Sequence, residues 1–339
     1  MNRERLESIL RTLPRLTIGL VGDLFLDRYL HLVPGIRELS IETGLEAYQI
    51  ERVRNSPGAL GTVMNNLAAL GVGLTVPVTA IGDDGHGYDL LKEIRRLPAD
   101  PANVLCLPER LTPTYTKPMR RNTDAPAVEL NRLDVRTRAP LSAAATEEIC
   151  RRVEVVFRSS DGLIVLDQLV DEDCGVVNAA VRQQIARLAA QSPEKLIFVD
   201  SRRYLGRFEA GSLKGNRSEV LSAAGMTEGG DSGTALASLA QRTNRTAYCT
   251  AGDQGIFVAR PGQQAQLVPG YPVTGPIDIV GAGDSATSGI VTALLSGADD
   301  YEAAAFGNLI ASITIQQLGT TGTATSAQVR ARFEEANDQ

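Results

Sequence analysis

From residue 142 onward, helical and extended hydrophobic patterns alternate, and this alternation constrains the fold more than any other feature. A helical stretch at 142–158 leads to the extended run GLIVLD (162–167). A second, 172–191, leads to KLIFVD (195–200), and a third near 232–242 leads to TAYCTAGDQG (246–255). Alternation of this kind needs crossover helices joining parallel strands. It predicts an α/β fold with a mostly parallel sheet and helices on both faces. Two of these strands end in acids, Asp167 and Asp200, and the early run LTIGLVGD (16–23) ends in Asp23. In open parallel sheets the ligand crevice lies beyond the carboxyl ends of the strands, so these ends are where chemistry is expected.

The first half of the chain is less regular. A short helix fits 5–12, and Leu60, Val63, Met64, Leu67 and Leu70 after Pro57 have helical spacing. LTVPVTAIG (74–82) and ANVLCL (102–107) read as strands around a helix at 87–97. Segments 29–56 and 112–133 have β-type residues without the alternation. They are expected to form a small second sheet, a lid over the crevice, within one domain spanning 1–339. Two short β runs, 256–259 and 265–268, precede helices at about 284–296, 301–316 and 326–336. An exposed-edged lid sheet of this kind tends to pair with another copy, so a homodimer is expected.

Composition narrows the function. The net charge of −6 argues against a general nucleic-acid binder. Two histidines are too few for a His-rich metal site. Four dispersed cysteines without a CxxC pair read as reduced thiols of a cytoplasmic protein. The charged N-terminus does not read as a signal peptide. No apolar run approaches the ~20 residues that span a bilayer.

The stretch VGAGDS (280–285) carries the most chemistry. As a plain helix start, Asp284 stabilises the positive end of the helix that follows. As GAGDSA it fits the dinucleotide pattern G-x-G-x-x-A, but helices rather than a βαβ unit follow it. In a third reading the turn amides form an anion hole for a transferring phosphoryl group, and Asp284 takes the proton of the attacking hydroxyl. No G-x-x-x-x-G-K-[ST] occurs, so a P-loop is absent.

The third reading asks for a polar grip near the N-terminus and for acids and amides facing metal and phosphates. The chain supplies VGDLFLDRYL (21–30), NSPGALGTVMNNLAALGV (55–72), IGDDGHG (81–87), NRSE (216–219), TAGDQG (250–255), DIVGAGDS (278–285) and FGNLIASITIQQLGTTG (306–322). In this order they resemble the ribokinase-like PfkB carbohydrate kinases, over residues 15–325. GDLFLDRY, SIE (40–42), TK (116–117), NRLD (131–134) and QLGTTG are most similar to the heptose 7-phosphate kinases within that family.

The resemblance implies a ribokinase-like three-layer α/β/α fold and ATP-dependent phosphorylation of a sugar or sugar-phosphate hydroxyl. The anomeric hydroxyl of heptose 7-phosphate is the candidate acceptor. It implies ATP and Mg²⁺, and leaves a monovalent cation open. Asp284 resembles the catalytic base, and the amides of Gly281, Ala282 and Gly283 the anion hole. Asn216 and Glu219 match the N-x-x-E motif that organises magnesium and phosphate, largely through water. Thr250, Gly252 and Gly255 resemble the nucleotide loop, and Asn308 a residue near the adenine. Asp27, Gly58 and Asp167 match substrate positions, and Lys117 and Arg120 are candidates for a substrate phosphate. Each has a plainer alternative: Asp27 as a helix cap, Asn216 with Glu219 as a capping pair, Asp167 as an acceptor for strand-end amides, and Lys117 and Arg120 as solvated strand residues.

Two motifs depart from the family's usual pattern: Ile279 and Val280 follow Asp278 where a hydroxyl residue is common, and the first helix turn carries two changes. Ala59 replaces a second glycine, and Thr62, assigned to the substrate pocket, replaces an Asn. Thr offers one short hydroxyl where Asn offers a donor and an acceptor. The departures raise an alternative, a kinase-fold protein that binds sugar or nucleotide without turnover.

Overall fold

The computed structural model describes residues 1–121, 127–319 and 321–337. Residues 122–126 of the expected lid and residue 320 of the QLGTTG motif lie outside them. A nine-stranded sheet forms the centre. Its order is Gln266–Pro269, Gly255–Ala259, Ala247–Thr250, Ser212–Asn216, Leu196–Ser201, Gly162–Asp167, Thr17–Gly22, Leu74–Gly82 and Val104–Leu107. Pairings from Ala247–Thr250 to Val104–Leu107 are parallel, and the last two strands at the opposite edge turn back antiparallel.

Side chains on successive strand residues point to opposite faces, and the core divides accordingly. Ile18, Leu20, Ile164 and Leu166 pack into a cluster with Leu60, Met64, Ile290 and Phe306, from the helices Leu60–Leu70, Ala282–Leu295 and Asp300–Thr314. Val21, Leu163 and Val165 face the other cluster, with Ile149, Ile185 and Leu236 from the helices Ala143–Ser159, Ala179–Gln191 and Ser232–Thr243. The three layers expected from the alternation are therefore present.

A smaller sheet runs Leu133–Val135, Thr114–Arg120, Leu24–Leu32 and Ile50–Ala59, with Val128–Glu129 paired to Thr114–Arg120. It begins at Leu24, directly after the first central strand, rather than near residue 29. The expected helix after Pro57 starts only at Leu60. Pro57 and Gly58 stay in the strand because they pair with Leu26 and Phe25, Ala59 ends it opposite Leu24 at φ +52, and the Leu60 amide bonds the Asp23 carbonyl at 3.0 Å.

Three further boundaries differ from the sequence expectation. The helix placed at 172–191 begins at Ala179, capped by Asn178. The preceding loop is held by Asp23, whose carboxylate accepts the amides of Val176 at 2.8 Å and Gln168 at 3.4 Å. The run 246–255 is two strands, because Gly252 and Gly255 adopt positive φ and reverse the chain. The strand Ser212–Asn216 and the helix Arg217–Ala223 had no counterpart in the hydrophobic pattern.

Candidate active site

The parallel strands end where the sequence placed the chemistry. Pairing sets Asp200 opposite Lys214, Asp167 opposite Ser201, and Asn216 opposite Thr250. The helix Ala282–Leu295 starts over this edge. Gly281 caps it with φ +83, a conformation that L side chains resist. Within the turn, Val280 N–H donates to Asp278 Oδ1 and Ala282 N–H to Ile279 O. The Ala282 amide is thus spent inside the turn and is not available to an anion in this conformation. The N–H groups of Gly281, Gly283 and Asp284 have no partner among the described residues, and they carry the positive end of the helix.

Asp284 is half-buried in the first helical turn. Its carboxylate takes no hydrogen bond among the described residues. Burial, followed by the nearby Asp200 charge, pushes its proton affinity up to about 7, against Lys214 and Arg202. A carboxyl poised near neutrality suits a general base.

Beneath the turn lies a buried ion pair that the sequence reading did not assign. Lys214 Nζ donates to Asp200 Oδ2 at 2.7 Å and to Gly283 O at 3.2 Å. Thr287 Oγ1 donates to the same Asp200 oxygen at 2.9 Å. Burial alone would lower the affinity of Lys214 for its proton, but Asp200 outweighs it and holds the ammonium above its ordinary range. The signal available in the sequence was a lysine between Leu213 and Gly215, just before NRSE.

Asn216 and Glu219 form a reciprocal capping box: Glu219 N–H donates to Asn216 Oδ1 at 3.0 Å, and Asn216 N–H to Glu219 Oε2 at 2.7 Å. Glu219 Oε1 has no partner among the described residues. It is a hard oxygen acceptor, the kind that magnesium's hydration shell takes, so the pair fits the expected metal role. Burial raises the Glu219 carboxyl. Thr250 closes its strand beside Asn216, and Gly252 turns at φ +62. Gly255 serves the chain reversal itself, since an added Cβ would stand 2.2 Å from Val268 O. Asn308 Nδ2 donates to Val268 O and Pro269 O, both at 3.0 Å. Its amide braces the edge strand.

On the other flank, Asp27 lies on a strand and is not a helix cap. Lys117 Nζ stands 2.8 Å from Asp27 Oδ1, and Gly58 is packed so closely that a Cβ there would meet Asp27 Oδ2 at 2.4 Å. Lys117 and Arg120 do not come together. Pairing of Tyr29 with Lys117 and of His31 with Met119 puts Lys117 on the Asp27 face of the small sheet and Arg120 on the reverse. Arg120 is bound there to Glu46 at 2.6 Å. Arg54, opposite Tyr29, stands over its ring at 3.8 Å, and Lys117 over the same ring at 4.8 Å, while Arg132 lies over the ring of Tyr115 on the same face at 4.3 Å.

Thr62 reaches the anion turn: a Cβ on Gly281 would contact Thr321 at 3.3 Å and Thr62 at 3.6 Å. Asn66 Oδ1 accepts from Ser285 Oγ at 3.3 Å, tying the middle of the helix Leu60–Leu70 to the first turns of Ala282–Leu295. Ala59 holds φ +52, ψ −112, a backbone conformation suited to the glycine it replaces. Asp167 is buried and accepts the Ser201 hydroxyl at 2.8 Å. Burial and then Asp23 push its carboxyl up to about 7.

A three-layer parallel fold whose strand ends converge on an acid beside a glycine turn defines a sugar kinase of the ribokinase-like class. The profile described as pfkB family carbohydrate kinase matches residues 37–327, and the chain belongs to that family. It is 28% identical over 97% of its length to the bifunctional protein HldE of Trichlorobacter lovleyi, and 30% identical over 93% to that of a Caulobacter species. It covers 65% and 63% of those relatives, less than two thirds of each. Among solved structures, Arabidopsis thaliana ribokinase complexed with ribose and ATP superposes with a TM-score of 0.66, at 17% identity over 94% of this chain and 99% of that one. A putative ribokinase II from E. coli in complex with ATP and Mg²⁺ gives 0.68, at 15% identity over 94% and 99%. No described helix is long and apolar enough to cross a membrane.

Proposed function

We propose that this carbohydrate kinase transfers the γ-phosphoryl group of ATP to a hydroxyl of a sugar phosphate, with the anomeric hydroxyl of heptose 7-phosphate as the leading acceptor. The observation that carries the reading is Asp284, an unpaired carboxyl poised near neutrality beside three unpartnered turn amides. Asp284 accepts the proton of the acceptor hydroxyl as its oxygen bonds to the γ-phosphorus and the bond to the ADP oxygen breaks. The amides of Gly281 and Gly283 face the charge that develops on the transferring group. Asn216 and Glu219 would hold magnesium through water, and the ion would neutralise phosphate charge. Catalysis of this type draws mainly on positioning and electrostatics.

The Asp27, Gly58 and Lys117 cluster supports a sugar grip, and Arg54 and Arg132, over Tyr29 and Tyr115 on the same face, are cations that could meet a substrate phosphate. Closure of the small sheet over the sugar would exclude water and limit ATP hydrolysis. A separate two-stranded hairpin, Glu38–Leu39 with Glu46–Ala47, lies in sequence between two strands of the small sheet and exposes Leu39, Ile41 and Leu45. Such a surface suits self-association of two copies. Sedimentation of Ile41→Asp tests this: a shift from dimer to monomer is expected, and an unchanged dimer contradicts it.

The functional test is an ADP-release screen over sugars and sugar phosphates with Mg²⁺. Turnover restricted to phosphorylated sugars, highest with heptose 7-phosphate, is expected. Preference for an unphosphorylated sugar removes the phosphate part of the reading. Binding of sugar or ATP with no turnover favours the binding-protein alternative raised by Ala59 and Thr62.

A further inference from the structure

We propose that Asp200 is a positioning residue for phosphoryl transfer, holding Lys214 and the start of the Ala282–Leu295 helix so that Asp284 meets the substrate with no cation paired to it. The inference rests on the kinase reading above, and none of the family motifs in the chain includes Asp200.

The geometry is compact. One oxygen, Asp200 Oδ2, receives both Lys214 Nζ and Thr287 Oγ1. It therefore joins the strand Leu196–Ser201 to its neighbour Ser212–Asn216 and to the helix. Thr287 lies three residues after Asp284, on the same side of the helix. Lys214 adds a bond to Gly283 O, directly under the turn. Asp200, Lys214 and Thr287 are buried, where a bond is held against little competition from water. The ammonium has two oxygen partners, and Asp284 is not one of them.

The charges facing Asp284 are Asp200 and Lys214 from the two strands and Arg202 from the turn after the first of them. Glu219 faces Lys214 from the neighbouring helix. A lysine ammonium carries three donors on a flexible stem. Without the Asp200 charge, the acids left beside Lys214 are Asp284 and Glu219. Pairing with Asp284 would neutralise the base and draw the first turn out of line. Asp200 thus fixes the turn mechanically and occupies the one lysine able to disable it.

The test compares Asp200→Asn, Lys214→Met and the double variant by steady-state kinetics across pH, with melting curves for each. Asp200→Asn is expected to lower kcat by about 30-fold or more while KM for ATP and sugar moves less than about 3-fold. Its acid limb should shift to lower pH, because Lys214 now stabilises ionised Asp284. The double variant removes both charges; it should raise kcat at least about 5-fold above Asp200→Asn and return the limb upward. A merely structural role would lower the melting temperature and leave the limb in place. An unmoved limb, wild-type kcat in Asp200→Asn, or a double variant no better than the single overturns the proposal. If Asp200→Asn does not fold, Thr287→Val serves in its place: a kcat loss of about 3-fold at unchanged KM is expected, and no loss overturns the pinning.

Wild-type protein that releases no ADP with any sugar would overturn the kinase reading instead. The pairing is then read from stability. The raised Asp284 carboxyl costs wild type stability progressively as pH climbs from the ordinary carboxyl value of 3.8 to about 7. Asp200→Asn should lose less melting temperature than wild type between about pH 5 and about pH 8, and an equal or larger loss contradicts the pairing.

Discussion

The proposed phosphoryl-transfer end and the proposed sugar end of the crevice are built differently. At the first, the glycine turn, Asp284 and the capping box Asn216–Glu219 match the motifs expected of the family, and a buried Asp200–Lys214 pair supports them. At the second, Ala59 occupies a glycine's conformation, Thr62 stands where the family pattern leads one to expect an amide side chain, and Lys117 shares the Tyr29 ring with Arg54, two strands away. The contrast follows from what each end must do. Charge development on a transferring phosphoryl group is the same for every acceptor, so the groups that meet it have little latitude. The sugar differs from enzyme to enzyme, and its contacts can change as long as the backbone path persists. Ala59 shows how firmly that path persists: pairing of Leu24 with Ala59 and the Leu60–Asp23 bond hold φ at +52 despite the methyl group.

Perturbations at the two ends should therefore separate. The largest effect is expected at the turn. Gly281→Val would force a branched side chain into φ +83 against Thr321 and Thr62, and a kcat loss of about 100-fold or more is expected. A variant with near-normal kcat would show that the turn geometry is not needed. At the sugar end, Lys117→Ala should raise KM for a phosphorylated sugar about 10-fold, whereas Arg120→Ala, on the reverse face and bound to Glu46, should change it less than about 2-fold. Equal effects would remove the distinction between the two faces. The smallest effect is one of stability. Ala59→Gly should stabilise the fold by about 1 kcal/mol in denaturant melts, because relief of positive φ outweighs the added chain entropy. Destabilisation would mean that the methyl's packing matters more than its strain.

Much of this architecture was legible in the sequence because strands buried on both faces read as unbroken apolar runs. GLIVLD and KLIFVD identify both the strands and the crevice acids at their ends. The strand Ser212–Asn216 was not legible, since Lys214 interrupts its apolar pattern. The lysine is tolerated inside only because parallel pairing sets it opposite Asp200, fourteen residues upstream. Local spacing cannot report such a partnership. The loop before Ala179 was read as helix because its stabilising bonds run to Asp23, more than 140 residues away. Lys117 and Arg120 looked equivalent for a similar reason: their faces depend on register with Leu24–Leu32, which the segment itself does not specify.

The central claim is that Asp284 takes the proton, and Asp284→Asn tests it most directly, with ATP affinity and phosphoryl transfer measured on the same preparation. The account predicts transfer reduced by at least about 1,000-fold with ATP affinity within about 3-fold of wild type. The variant should also be stabilised more at about pH 8 than at about pH 5, since the raised carboxyl costs folding energy increasingly as pH climbs from the ordinary carboxyl value of 3.8 to about 7. Near-normal transfer by Asp284→Asn would contradict the account.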